Sequence, residues 1–159
     1  MRNKKVLFAV QAAMIAALYV VLTYITNLLG LASGTIQVRF SEALCILPVF
    51  TPAAIPGLFI GCLISNLITG GIIWDIIFGS IATLLGALGT YFLRKKKFVY
   101  PLPPVIANII IVPLVLRYGY GFTTVYKGVD ISLVFNAVTV GIGEIISICV
   151  LGSLLKGIL

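Results

Sequence analysis

Long apolar segments dominate this chain and constrain its fold more than any other feature. Six of them follow one another with only short polar interruptions, and 61% of the 159 residues are apolar while 9% are charged. Soluble domains are about half apolar and about a quarter charged, so this chain lacks the polar side chains needed to cover itself in water. The composition therefore excludes a soluble enzyme, a secreted domain and a disordered protein. It predicts an integral, multi-pass protein of the cell membrane.

The lengths of these segments predict a single transmembrane domain, residues 1–159, in an all-α fold. The segments lie at about 6–29, 42–53, 57–69, 74–93, 101–117 and 131–155. The second and third are interrupted by prolines, and neither reaches the roughly 20 residues of a straight crossing. The first is too long for the apolar core of a signal peptide, about 7–15 residues, so it is predicted to be a retained helix.

The basic residues predict which side of the membrane each segment end faces. If both termini are cytoplasmic and each short segment crosses, eight of the 11 basic residues lie inside, including the cluster at 94–97. A single crossing made by the two short segments together would place that cluster outside, against the positive-inside rule. The predicted fold therefore has six transmembrane helices, two of them short, or four with a re-entrant hairpin of the same parity.

Only four residues are acidic, and their positions predict a binding site. Glu42, Asp75 and Asp130 fall at or near the outer face. Glu144 comes 13 residues after Ile131, roughly 20 Å along the last helix and past the midplane of the membrane. An ionisable residue at that depth is costly and is a candidate ligand contact. A structural ion pair or a protonated carboxylate between packed helices is the alternative, and no basic residue is predicted at similar depth.

Polar and aromatic residues in other segments are candidates for the same ligand. Asn66, Asn108 and Asn136 are amides inside apolar segments, where interhelical hydrogen bonds explain them equally well. Trp74 and Tyr118 can stack on a flat ligand or belong to an interfacial aromatic belt. The predicted substrate-binding residues are Glu144, Asn136, Asp75, Trp74, Glu42, Asn108, Asn66 and Tyr118.

Small residues form a regular stripe on the first helix. Ala9, Ala13 and Ala17 recur every four residues, and this spacing makes a smooth surface that another helix can approach closely. The spacing alone is compatible with an external partner and with packing inside the chain.

Missing residues and motifs exclude several kinds of chemistry. The chain has no histidine, which is the commonest general base and transition-metal ligand. It also lacks a GxxxxGK[ST] phosphate loop, a GxSxG motif and an HExxH motif. Binding or uptake of a small molecule is therefore predicted, without an enzymatic activity, a metal or a cofactor. A stand-alone oligomeric facilitator or channel and a subunit of a larger importer both remain compatible with these observations.

Two blocks of sequence resemble a known family. VRFSEALCILPVFTPAAIPGLFIGCLISNL at 38–67 and WDIIFGSIATL at 74–84 are similar to the queuosine precursor transporter family (QueT), whose members are substrate-binding S components of energy-coupling factor (ECF) transporters. The resemblance extends over nearly the whole chain. It implies a six-helix protein of the bacterial plasma membrane, and as partners a transmembrane coupling subunit with two cytoplasmic ATPases. It also implies that the alanine stripe docks on the coupling subunit and that the substrate is a 7-deazaguanine base.

The chemistry of such a base suggests roles for the candidate residues. Its 2-amino-4-oxo pyrimidine face presents adjacent N–H donors, which a carboxylate such as Glu144 can accept in bidentate fashion. Asn136 can supply complementary contacts, Trp74 or a loop tyrosine can stack on the rings, and Asp75 or Glu42 can meet an aminomethyl cation. The segments at about 30–41 and 117–130 are predicted to close over the substrate before the protein tips in the membrane and releases it inward.

Overall fold

The computed structural model describes residues 3–32 and 36–158, which form a bundle of helices. The helices in chain order are α1 (Lys4–Leu28), a 3₁₀ helix (Phe40–Val49), α2 (Ala54–Ile68), α3 (Ile73–Phe92), α4 (Leu102–Leu114) with a π-helical extension (Val115–Gly119), α5 (Ser132–Glu144), a π-helical segment (Ile145–Leu151) and α6 (Gly152–Ile158). Strands β1 (Val125–Tyr126) and β2 (Val129–Asp130) lie between the π-helical extension and α5.

Four continuous helical spans are long and apolar enough to cross a membrane among the residues that the structure describes. They are Lys4–Leu28, Ile73–Phe92, Leu102–Gly119 and Ser132–Ile158. The two remaining apolar helices, Phe40–Val49 and Ala54–Ile68, are shorter and correspond to the two short segments expected from the sequence. The helical character of a multi-pass membrane protein is thus confirmed, whereas six crossings and cytoplasmic termini stay predictions.

The first short segment is a ten-residue 3₁₀ helix rather than an α-helix, and it runs through the centre of the bundle. Runs of 3₁₀ helix longer than three or four residues are uncommon and often mark a functional or strained region. Pro48 lies inside this helix and lacks the N–H that a regular helix would use. Cys45 and Ile46 are fully buried and belong to the core of the molecule.

The predicted outer loop at 117–130 contains a small β-hairpin, which is the one non-helical element in the described part of this mostly helical fold. Val125 pairs with Asp130, and Tyr126 with Val129. Lys127 and Gly128, the two turn residues, both have positive φ, as a tight two-residue hairpin turn requires. Asp130 also forms an ion pair with Arg117 at 2.5 Å. Hydrogen bonds from the Ser132 hydroxyl and backbone N–H lower the pKa of Asp130, so its carboxylate stays ionised at neutral pH.

The last predicted helix is interrupted in its hydrogen-bonding pattern at Glu144. Regular α-helix ends at this residue, the π-helical segment follows, and α6 completes the span. Insertions of π-helix are rare and frequently occur at functional sites, because they re-aim the side chains beside them. The sequence predicted one helix over this segment and gave no sign of a change of helix type.

Helix α1 packs against α2 through small residues. An ideal Cβ added at Gly57 would lie 2.7 Å from the Ala12 carbonyl oxygen, and one added at Gly61 would lie 2.7 Å from the Tyr19 Cβ. Both distances are shorter than a van der Waals contact, so glycine is required at these positions for α1 and α2 to pack this closely. The adjacent residue Ala16 is buried in the same interface.

A second close approach fixes the segment that precedes the 3₁₀ helix. An ideal Cβ on Gly143 would lie 2.0 Å from the backbone oxygen of Gln37, so this backbone runs directly against α5. The Ser147 hydroxyl accepts a hydrogen bond from the Arg39 backbone N–H at 3.1 Å and donates one to the Gly143 carbonyl at 2.8 Å. The segment around Arg39 is therefore anchored on the last transmembrane span.

Replacing Gly143 with alanine is expected to lower the melting temperature of the purified protein in detergent. The added methyl meets backbone rather than a flexible side chain, and overpacking of this kind costs about 1–3 kcal/mol. Gly157→Ala is the matched control, because an ideal Cβ there contacts nothing within 4 Å and alanine favours a helix. Equal melting temperatures for the two variants would contradict the close approach.

Candidate substrate-binding site

A polar cavity opens at the end of the bundle where α1 ends and α3 begins. Its volume is about 370 Å³, within the range of sites for small molecules. It is lined by Thr23, Thr26, Asn27, Ala32, Gln37, Arg39, Asn66, Thr69, Gly70, Gly71, Asp75, Val112, Leu116, Tyr120 and Phe122. The cavity therefore draws on α1, α2, α3, the α4 span and three connecting segments.

A narrow recess of about 20 Å³ continues this cavity into the bundle, with room for about one water molecule. Gln37, Arg39, Asp75 and Val112 line both spaces. The deeper wall contains Glu42, Cys62, Gly79, Thr83, Asn108, Val140 and Glu144. Five of the eight predicted substrate-binding residues, Glu144, Asp75, Glu42, Asn108 and Asn66, thus lie around one continuous space.

Glu144 is a buried carboxylate with unused hydrogen-bonding capacity. Its side chain is only 7% exposed, and its Oε2 atom has no hydrogen-bond partner among the described residues. Buried polar atoms are nearly always hydrogen-bonded, so each exception requires an explanation such as a ligand or a bound water. Asn108 and Arg39 line the recess beside it.

Glu42 is held by other side chains of the bundle core. Tyr19 donates a short hydrogen bond to Oε1, and the Cys45 thiol donates one to Oε2 at 3.1 Å. The residue is 2% exposed. Both carboxylate oxygens therefore have protein partners, although Glu42 also borders the recess. This arrangement indicates that Glu42 ties the 3₁₀ helix to α1.

Replacing Glu42 with glutamine is expected to lower thermal stability more than ligand affinity. An amide has one acceptor oxygen, so the Tyr19 hydroxyl or the Cys45 thiol would face an NH₂ group and lose its acceptor. Leaving a buried donor without a partner costs about 1–3 kcal/mol. The measurement is the melting temperature in detergent together with the dissociation constant of a bound base. An unchanged melting temperature with a large loss of affinity would show instead that Glu42 contacts the ligand.

Asp75 lies at the mouth of the recess and is tied to the outer loop. The Tyr120 hydroxyl donates to Asp75 Oδ2 at 3.1 Å, and burial together with this carboxylate raises the pKa of Tyr120. The Asn66 amide donates to the Asp75 backbone oxygen at 3.2 Å. Asn66 therefore helps to join α2 to α3. Tyr120 stacks on Phe122 with ring centroids 5.8 Å apart, which places two aromatic rings at the cavity wall.

Arg39 is a cavity residue that the sequence analysis missed. It was predicted in the outer loop, whereas the structure places it on the shared wall of the cavity and the recess, beside Glu144. Burial alone would lower the pKa of its guanidinium, but Asp75, Tyr19 and Glu42 raise it, and the net direction is upward. Its position directly before the Glu42 helix, within the block that resembles a known family, was the available signal.

Three predicted site residues lie elsewhere. Trp74 and Tyr118 are 55% and 73% exposed and line an apolar groove on the outside of α3 and α4. Trp74 stacks against Phe78 there, at 6.0 Å between centroids. Asn136 is buried two turns before Glu144, and its Nδ2 atom lacks a partner among the described residues, but it borders neither the cavity nor the recess. Tyr120 and Phe122 are the aromatic residues that line the cavity.

The alanine stripe on α1 faces away from the bundle. Ala9, Ala13 and Ala17 are all exposed, whereas Ala16 is buried and Ala12 half-buried against α2. The two sets of alanines therefore lie on different faces of the same helix. The exposed set provides a smooth surface on the outside of the helix.

Several long apolar helices surrounding a polar cavity define a multi-pass membrane protein of the transporter class. The family model for QueT transporters matches residues 9–159. The chain therefore belongs to the QueT transporter family, which confirms the resemblance noted in its sequence.

About half of the chain is also similar to a curated relative. The queuosine precursor transporter QueT of Lactococcus lactis subsp. cremoris (strain MG1363) is 38% identical over 86 residues. The match covers 54% of this chain and 50% of the relative, so the similarity spans about half the length of each. No solved structure matches the chain.

Proposed function

We propose that this protein is the substrate-binding S component of an ATP-driven ECF importer and that it takes up a queuosine precursor or a related 7-deazaguanine base. The observation that carries the proposal is the buried, unpartnered Glu144 Oε2 at the end of a polar cavity. The name of the Lactococcus relative supports the substrate class.

The donors and acceptors around the cavity suit a base with a 2-amino-4-oxo pyrimidine face. Glu144 accepts hydrogen bonds from the ring N–H and the exocyclic amine in bidentate fashion, once the recess of about 20 Å³ widens to admit the edge of the ring. Asp75, at the mouth of the recess, accommodates an aminomethyl cation where the base carries one. Tyr120 and Phe122 offer flat apolar surfaces to the fused rings, a role that the sequence analysis gave to Trp74 or a loop tyrosine.

The outer segments provide a route for the substrate into this cavity. Gln37, Arg39, Tyr120 and Phe122 line the cavity, and they belong to the two regions expected to close over the substrate. After closure the S component tips against the ATP-driven module and releases the base inward. The energy for uptake comes from partner subunits, because this chain has no phosphate-binding loop of its own.

Ala9, Ala13 and Ala17 are the proposed contact with the coupling subunit. Their exposure on α1 allows close helix packing with a partner. The complex then contains this chain, the transmembrane coupling subunit and two cytoplasmic ATPases.

The identity of the bound small molecule is the most direct test. Mass spectrometry of the compound that purifies with the protein, followed by titration calorimetry, is expected to identify a 7-deazaguanine base and to measure its affinity. Recovery of an unrelated solute, without association with ATPase subunits, would favour a stand-alone facilitator. A chemically altered product of the added base would indicate an enzyme.

A further inference from the structure

The guanidinium of Arg39 has no hydrogen bond or ion pair in the described part of the chain, although three carboxylates border the same space. The ion pair that the described residues form is Arg117–Asp130, outside the cavity. Both carboxylate oxygens of Glu42 accept hydrogen bonds from Tyr19 and Cys45, and Asp75 Oδ2 accepts one from Tyr120, so none of these bonds comes from Arg39. Up to five N–H donors of Arg39 are therefore available to a ligand.

The backbone around Arg39 is held by contacts with two helical spans, so the place of Arg39 at the cavity wall is a property of the fold. Its own N–H donates to the Ser147 hydroxyl at 3.1 Å, and the N–H of Phe40 donates to the Thr26 hydroxyl at 3.2 Å. The lack of a side chain at Gly143 allows the Gln37 carbonyl to lie directly against α5. Arg39 is thus attached to α1 and to the last span at once, and its side chain borders the junction of the cavity and the recess.

A ligand that forms hydrogen bonds with both side chains must present an acceptor to Arg39 and donors to Glu144. The 2-amino-4-oxo face of a deazaguanine carries both, since its ring carbonyl is adjacent to its ring N–H. The inference that follows rests on the proposed function and assigns an additional residue to it.

We propose that Arg39 determines specificity by donating hydrogen bonds to the ring carbonyl of the base while Glu144 accepts from the neighbouring N–H groups. A charge-assisted hydrogen bond to an oxygen acceptor is shorter and stronger than one to sulfur, because sulfur is a weak acceptor. The protein then prefers a base with an oxo group over one with a thione at the same ring position.

The test compares 7-deazaguanine with its analogue in which a thione replaces the ring oxo group, on the wild-type protein and on Arg39→Gln. The two ligands keep the same ring N–H and amine, so only the acceptor opposite Arg39 differs. The wild type is expected to bind the oxo base about tenfold to a hundredfold more tightly. In Arg39→Gln the affinity for the oxo base falls by a similar factor, and the preference for oxo over thio largely disappears.

Two further variants keep the result interpretable. Arg39→Lys retains the charge but not the planar fork, and it is expected to show an intermediate preference with a wild-type melting temperature. Arg94→Gln is the control for loss of an arginine: its guanidinium lies over the Tyr91 ring, 4.0 Å from the centroid, and borders neither the cavity nor the recess. Both ligand affinities are expected to stay unchanged in this variant.

The outcomes separate this inference from the function on which it rests. An equal loss of affinity for both ligands in Arg39→Gln, or no loss for either, overturns the carbonyl contact while leaving deazaguanine binding intact. If the wild-type protein binds neither ligand, the proposed function fails, and the assignment of Arg39 fails with it.

Discussion

Glutamine at position 144 is expected to weaken binding of a 7-deazaguanine base by well over tenfold. The Glu144 Oε2 atom is buried and unpartnered among the described residues, so its hydrogen-bonding capacity is available to a ligand. The amide keeps the shape of the side chain but replaces one acceptor with an NH₂ donor, which would face the donors of the base. Removing one partner of a charge-assisted pair and leaving buried donors unsatisfied costs about 1.5–3 kcal/mol, or roughly 10- to 150-fold in affinity.

Titration calorimetry with 7-deazaguanine measures this effect, and the melting temperature of the ligand-free variant provides the control. Glu144→Gln is expected to melt close to the wild-type temperature, because the Oε2 atom that becomes an amide nitrogen has no hydrogen-bond partner to lose among the described residues. Glu42→Gln is the contrasting variant, because both of its oxygens accept bonds within the protein. An unchanged affinity in Glu144→Gln would rule out Glu144 as the contact to the base.

The sequence was sufficient to predict the helical membrane fold, and five of the eight predicted site residues lie around the cavity and its recess. Apolar length alone located every helical segment to within a few residues. Carboxylates and amides are costly in a membrane, so the scarcity of such residues made Glu144, Asp75 and Asn108 conspicuous. The free-energy cost of burying a polar group does not show whether that group binds a ligand or another side chain, however. The hydrogen bonds that hold Glu42 are visible only in the structure.

Arg39, Trp74 and Tyr118 show why other features could not be predicted. The interfacial preference of arginine and aromatic side chains predicts their depth in the membrane but not the direction in which they point. Trp74 and its neighbour Asp75 lie one residue apart on α3, so they differ by about 100° around the helix axis. Asp75 faces the cavity and Trp74 the outer groove. The inward position of Arg39 depends on contacts with Ser147, more than 100 residues away in the chain.

The smooth face of α1 leads to the second prediction with a large effect. Ala13 is exposed at the centre of the stripe formed with Ala9 and Ala17, while the neighbouring Ala12 and Ala16 pack toward α2. A large side chain at position 13 therefore projects outward and leaves the α1–α2 interface intact. It also fills the space that a partner helix needs for close approach.

Ala13→Leu is expected to abolish co-purification of the coupling subunit and the ATPases while leaving binding of 7-deazaguanine unchanged. Leucine is as compatible with lipid as alanine, so insertion and folding are expected to be preserved. A loss of co-purification then reports on the contact with the coupling subunit alone. Val138→Phe, which adds similar bulk at an exposed position on α5, controls for bulk at the membrane-facing surface. The measurement is affinity purification of tagged protein from cells that express the module, with quantification of ATPase subunits. Retention of the ATPases by Ala13→Leu would place the docking surface elsewhere, and their absence from the wild-type protein as well would support a stand-alone transporter.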